Sequence, residues 1–253
     1  MIEDSIDDYI NSEKPFHVYY LTLSGHLPYG YNSNAMSLKN KDAVANLSYS
    51  EKTNSYIAAG LELEKGMKRL IDELEKAGKA DNTLIGMAPD HIPYGDVDVI
   101  EELAGKSMGK GNLENLKEQD IDFDVYRNSL VVWSASMKEQ FKEPVEVDKV
   151  CCQVDVLPTL LNLLGVEYDS RLLSGSDILS DSEGMVVFSS HCWLTDKGFY
   201  NRFTGEFKPA KGVEMNAEEQ ESYISSRKTL ATCKTNLSPM IVDTNYYDLL
   251  FNK

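Results

Sequence analysis

Asp90 and His91 stand side by side where the apolar run Thr83–Ala88 gives way to the turn Pro89-Asp-His-Ile-Pro-Tyr-Gly95. A carboxylate oxygen beside an imidazole nitrogen is half of a divalent-metal ligand set. His26 is the second candidate, in the loop Gly25-His26-Leu27-Pro28-Tyr29-Gly30 that follows the apolar run Pro15–Ser24. Both lie at the carboxyl end of an expected strand, where open α/β sheets place their chemistry. Each also has a plainer reading, since an Asp before a His at a strand end can simply form a turn. The other two of the four histidines read as structure, His17 packed in mid-strand and His191 at a strand end before Cys192-Trp193. No nucleophile is evident. Thr22 and Ser24 adjoin His26, but there is no GxSxG elbow, Walker loop or GxGxxG. Asp96, Asp98, Glu101 and Glu102 read as the solvated start of a helix rather than as ligands.

The elements that must position these residues follow from periodicity. Pro15–Ser24 is too continuously apolar for a one-faced strand and reads as a buried one. From about Ser50 to Lys79 one amphipathic helix carries Leu63, Met67, Leu70, Ile71 and Leu74 on a single stripe, with Gly78 marking its end. Strand, helix, strand is a βαβ unit, which predicts parallel pairing and brings His26 and Asp90-His91 to the same sheet edge. Residues 1–14 read as a polar lead-in, and the polar stretch 31–48 as a long connection with a job to do. A short helix is expected over Val97–Ala104, a strand over Ser129–Ser134, and a helix from Asp155 to Leu164 with Leu157, Leu160, Leu161 and Leu164 on one face. Met185–Ser190 is a further strand, and 193–208 a hairpin or meander. Asn216-Ala-Glu-Glu219 is a capping box opening a helix that Pro239 stops near Asn236. The apolar tail Tyr246–Phe251 must dock somewhere.

The formal net charge of −16 over 253 residues argues against a nucleic-acid partner, because there is no basic excess to displace phosphate counterions. It does not exclude anionic substrates, since a bound metal reverses the local sign. No run reaches the roughly 20 apolar residues of a membrane helix, and the acidic start Met1–Asp8 is neither a secretory signal nor a transit peptide. The chain therefore reads as soluble. Cys151, Cys152, Cys192 and Cys233 show no zinc spacing and read as buried free thiols, a Cys192–Cys233 bridge being the alternative.

Taken together, Ser24-Gly-His26-x-Pro28-Tyr29, the helix ending in Gly78-x-x-Asp81-Asn82-Thr83, and Asp90-His91-x-Pro93-Tyr94-Gly95 resemble the lipoteichoic acid synthase family. These are phosphoglycerol transferases with a sulfatase-like domain of the alkaline phosphatase superfamily. The resemblance continues through Gln153-Val-Asp155-Val-Leu157-Pro158-Thr159, Gly175-Ser-Asp177-Ile-Leu179 and Thr195-Asp-Lys-Gly-Phe-Tyr200. It implies that Asp90 and His91 bind a metal, usually manganese, and that His26 contacts the substrate phosphate. The family's reaction moves glycerol phosphate from a phosphatidylglycerol-type lipid onto a growing polymer or water, for the cell envelope, through a phospho-threonine. It also implies an α/β fold: a three-layer α/β/α sandwich with a mainly parallel sheet over residues 1–180, the helix 50–78 packed on it. Residues 181–253 would form a small antiparallel subdomain with a C-terminal helix.

Departures from the family pattern are equally specific. The glutamate ligand and the nucleophilic threonine precede Ser-Gly-His in the family, and nothing in the 25 residues before His26 resembles them. Pro89 stands where a glycine or small polar residue is commoner. The expectation is a carboxyl-terminal part of a membrane-anchored transferase working at the extracellular face of a bacterial membrane, inactive alone. The alternatives are a non-catalytic sulfatase-like module that binds a phosphorylated polymer or a partner chain, and a sulfuric ester hydrolase. Open sheet edge would favour self-association.

Overall fold

The computed structural model describes residues 1–93, 95–107 and 123–252, so Tyr94 of the turn motif lies outside the described residues. Packing divides the chain into two compact units, Met1–Pro144 and Val145–Lys253, whereas sequence reasoning placed a division at 180/181.

In the first unit, α1 (Ile2–Ser5) and α2 (Asp7–Ile10) open the chain. The supposed polar lead-in carries Ile2, Ile6 and Ile10 at i, i+4 and i+8, and all three are buried against Leu70, Leu74 and Ala80. The stretch 15–24 does not pair in a ladder among the described residues. Phe16 and Tyr20 lean on the same core, and the Tyr20 hydroxyl hydrogen-bonds those of Ser5 (2.8 Å) and Tyr9 (3.0 Å). Its other side is open. His17, expected to be packed, is exposed. The long connection contains α3 (Ala35–Lys39), whose N-cap Asn34 accepts from the backbone N–H groups of Met36 and Ser37 at 3.0 Å.

Helix α4 (Glu51–Lys76) is the spine of this unit. Ser50 caps its start, and Gly78, at φ 66°, supplies the left-handed residue after its end. Its carboxyl half buries Leu70 and Leu74, as the periodicity predicts. Its amino half instead buries the small residues Thr53, Ser55, Ala58 and Ala59. That lets α3 approach, with Ser37 Oγ donating to Ser55 O (2.8 Å) and Asn40 Nδ2 to Ala58 O (3.0 Å).

Strand β1 (Ile85–Met87) follows, then α5 (Val97–Ala104), β2 (Val131–Trp133) and α6 (Met137–Gln140). Helix α5 falls at its expected bounds. The pairing differs from expectation: β1 joins β2 antiparallel, Ile85 opposite Trp133 and Met87 opposite Val131, in place of a parallel ladder with 15–24. A continuously apolar strand is suited to burial on both faces, but nothing in it encodes which neighbour it takes or in which direction.

The acidic run after the turn ties helices together. Lys52 pairs with Asp96 and, at 3.0 Å, with Asp98. Glu102 accepts from Ser50 N (2.7 Å), Ser50 Oγ (2.6 Å) and Thr53 Oγ1, which puts a carboxylate on the amino terminus of α4. The Ser50 hydroxyl first, then Thr53 and the Ser50 amide, hold the Glu102 carboxyl below its ordinary value. A carboxylate whose pKa is depressed by folding stabilises above its unfolded value and loses that contribution as pH falls through the folded one. Acid is therefore expected to loosen α5 from α4 below about pH 4.3. Hydrogen exchange at the α4 amino terminus should accelerate there in the native chain and not in Glu102→Gln; equal acceleration in both would refute the assignment.

In the second unit a turn at Gln153–Asp155 leads into α7 (Val156–Leu163). The inward side of α7 carries Pro158 and Thr159, buried together with its N-cap Asp155, while Leu157 and Leu164 of the expected leucine face are exposed. The reason is a clasp. Asp155 accepts from Cys152 N and Ser176 N, both at 2.8 Å. Thr159 Oγ1 donates to Asp155 O (2.6 Å) and accepts from Ile178 N (2.9 Å). This clasp, with Asp196 accepting from Val150 N and Gly184 N at 2.8 Å, bonds residues 150–180 to their own unit.

Strands β3 (Met185–Val187), β4 (Trp193–Thr195), β5 (Gly198–Tyr200) and β6 (Phe207–Pro209) form the expected antiparallel meander, in that spatial order. Between β3 and β4, His191 sits in a tight turn at φ 61°, its N–H donating to Phe188 O (2.8 Å). One face of the sheet buries Trp193, Tyr200 and Phe207 against Ala231 of α8 (Ala217–Asp243). Asn216 and Glu219 form the expected reciprocal cap. The helix does not stop at Pro239 but runs through it to Asp243. Proline removes one helical N–H, and the far end is held by α9 (Tyr246–Phe251), whose Tyr246 and Tyr247 hydroxyls donate to the Arg171 and Leu172 carbonyls (3.2 and 3.4 Å).

Candidate metal and phosphate site

The turn after β1 presents Asp90 and His91 at the surface, their side chains 74% and 41% exposed. One carboxylate oxygen of Asp90 accepts from the His91 backbone N–H (2.9 Å), which is the turn-forming role. The other, Oδ2, lies 3.4 Å from His91 Nε2. His91 Nδ1 is 2.7 Å from the Ile92 carbonyl oxygen. A carbonyl can only accept, so Nδ1 carries a proton, and in neutral imidazole the lone pair is then on Nε2. Nε2 and Asp90 Oδ2 are then two acceptors side by side at the surface, an imidazole nitrogen and a carboxylate oxygen of the kind that can share one cation. The donor set therefore fits a first-row divalent ion, and the Nδ1–carbonyl bond is the kind of contact that orients a ligating histidine.

His26 is wired the same way, its Nδ1 2.7 Å from the carbonyl of the following residue, Leu27. Its Nε2 is an acceptor when the ring is neutral and a donor when it is protonated. The Tyr29 hydroxyl donates to Gly25 O (3.0 Å). Tyr29 packs edge-on against Tyr56 of α4, centroids 5.0 Å apart. Burial, then Tyr56 and Asp96, push its hydroxyl up to about 12, so it stays a hydrogen-bond donor. The two loops adjoin: a Cβ on Gly95 would lie 3.3 Å from Leu27 Cδ2. The loop that carries His26 thus packs against the end of the turn that follows Asp90-His91, while the parallel ladder from which their convergence was expected is replaced by the β1–β2 pairing.

Among the described residues no group of three or more His, Cys, Asp and Glu side chains converges as a metal site. The four cysteines are free, and only Cys192 is buried, against the expectation that all would be. Burial and Asp155 push the Cys152 thiol up to about 11, which leaves it a poor nucleophile at neutral pH. Among the described residues no helix is long and apolar enough to cross a membrane. Asn34 is what sequence reasoning missed. An Asn just before a helical stretch is a recognisable N-cap signal, but its second bond, Nδ2 to His26 O (3.0 Å), is not readable from spacing.

The sulfatase family model matches residues 2–166, which takes in both loops and the Asp155 and Thr159 side of the clasp. The chain belongs to the sulfatase family. Similar proteins include lipoteichoic acid synthase 2 of Bacillus subtilis, 27% identical over 91% of this chain. The lipoteichoic acid synthases of Staphylococcus saprophyticus and Staphylococcus aureus are 28% and 25% identical over 85% and 89% of it. The chain spans 31–32% of the length of these relatives. Its fold is also similar to the lipoteichoic acid synthase LtaP from Listeria monocytogenes, at TM-score 0.51 and 18% identity over 85% of this chain and 52% of that one. The α/β class with a small antiparallel sheet agrees with that likeness.

Proposed function

We propose that this chain is the carboxyl-terminal part of a metal-dependent phosphoglycerol transferase domain acting on a phosphatidylglycerol-type lipid or glycerol-phosphate polymer. The whole protein would work at the extracellular face of a bacterial membrane. The observation that carries this is the Asp90 Oδ2–His91 Nε2 pair beside the His26 loop, within a sulfatase-family chain whose relatives are lipoteichoic acid synthases. Asp90 and His91 would hold manganese or another divalent ion, which neutralises phosphoryl oxygens when bound. His26, protonated, would donate to a phosphate oxygen, where charge develops during transfer.

Among the described residues no third metal ligand joins Asp90 and His91, so the chain is expected to bind metal weakly and to turn nothing over by itself. A phosphodiesterase assay with manganese checks this. Metal-dependent turnover that Asp90→Ala abolishes would overturn the incomplete-site reading and place the missing groups within residues 1–253.

The same incompleteness predicts self-association. Tyr19, Leu21 and Leu23 are 81%, 64% and 72% exposed on a stretch without ladder partners among the described residues. Light scattering should show mass rising with concentration, and a monomer at every concentration would count against it.

A further inference from the structure

We infer that Asn34 is a positioning residue for His26, an inference that rests on the reading of His26 as a phosphate contact. The loop is exposed, yet three consecutive carbonyls are each claimed by a side chain. Gly25 O accepts from the Tyr29 hydroxyl, His26 O from Asn34 Nδ2 and Leu27 O from His26 Nδ1. The His26 N–H in turn donates to Leu23 O at 3.1 Å. Water would satisfy exposed carbonyls at little cost, so these bonds contribute geometry more than stability. They restrict the backbone at 25–27, and with it the imidazole whose own Nδ1 bond depends on where Leu27 O points.

Asn34 does this from a fixed base. Its Oδ1 accepts from Met36 N and Ser37 N at the start of α3. Helix α3 is in turn bonded to α4 through the Ser37 hydroxyl and the Asn40 amide at its end. One amide group thus joins the α4 spine to the His26 backbone, its oxygen facing the helix and its nitrogen facing the loop. Pre-organisation of this kind is what a phosphate contact needs, because productive geometry is lost with small displacements.

Asn34→Asp separates the two roles. Aspartate caps a helix about as well as asparagine, but it has no N–H for the His26 carbonyl. In nitrogen-15 spectra at alkaline pH, His26 of the native chain should show two well-separated ring resonances, the mark of one fixed tautomer. In Asn34→Asp that separation should shrink toward averaging while His91 keeps its pattern and the melting temperature is unchanged. An unchanged His26 pattern would overturn the assignment, and so would equal changes at His26 and His91. If Asn34→Asp fails to fold, Asn34→Ser keeps a capping oxygen while withdrawing the reach to His26, and the same comparison decides. Manganese broadening of His91 in the native chain tests the metal reading independently: its failure would sink that reading and leave the Asn34 result standing.

Discussion

Gly175→Ala is expected to destabilise the Val145–Lys253 unit by about 3 kcal/mol. A Cβ at this position would lie 1.9 Å from Val154 O, 2.3 Å from its carbonyl carbon and 2.8 Å from Asp155 N. All three are backbone atoms, so no side-chain rotation relieves the overlap. The backbones must separate, and the bond between Asp155 Oδ1 and Ser176 N, one residue away, breaks as they do. For a unit of this size the loss corresponds to a melting shift of about 12 °C or more. Gly60→Ala is the control. A Cβ there meets nothing within 4 Å on a helix, so it should stabilise by up to about 1 kcal/mol. Thermal melts of the two variants check the pair, and a Gly175→Ala melt within about 2 °C of native would show that the close approach is not maintained in solution.

Asp155→Ala is expected to cost a similar amount, about 3 kcal/mol. The carboxylate is buried, 6% exposed, and its two oxygens serve two backbone donors, Cys152 N and Ser176 N. Removing it leaves both N–H groups without a partner and opens the seam between α7 and the 175–178 loop. Bonds to an ionised acceptor are stronger than neutral ones, and unmade buried donors cost more than made bonds gain. Asp155→Asn keeps one acceptor oxygen and should fall between native and alanine. Urea titration gives the order, and faster exchange of the Cys152 and Ser176 amides locates the damage. Alanine and native chains with the same midpoint would refute the clasp. The Gln153-Val-Asp155 motif thus has a structural explanation in this chain, independent of any role at the metal.

Local features were legible wherever their cause lies within a few residues. The bounds of α5, the span of α4 between Ser50 and Gly78, the Asn216–Glu219 cap and the β4–β6 meander all follow from spacing, caps and turn residues. The Ile2, Ile6, Ile10 stripe was equally readable, but acidic neighbours obscured it. The face of α7 was not readable: four leucines outnumber one aspartate in any periodicity, yet the aspartate side is the one turned inward.

For the candidate site, the residue types and their placement at loop ends came from sequence alone. The proposal that Asp90 and His91 meet a metal and His26 a phosphate rests on the family resemblance of those motifs. Tertiary structure decided which nitrogen each histidine presents, because that depends on where one carbonyl points. It decided that β1 pairs with β2 and that Glu102 reaches Ser50, contacts between residues about fifty positions apart. Short-range spacing is set by the geometry of one turn or one pleat. Partners brought from across the chain are selected by packing and by the need to satisfy buried polar groups, which no local pattern encodes.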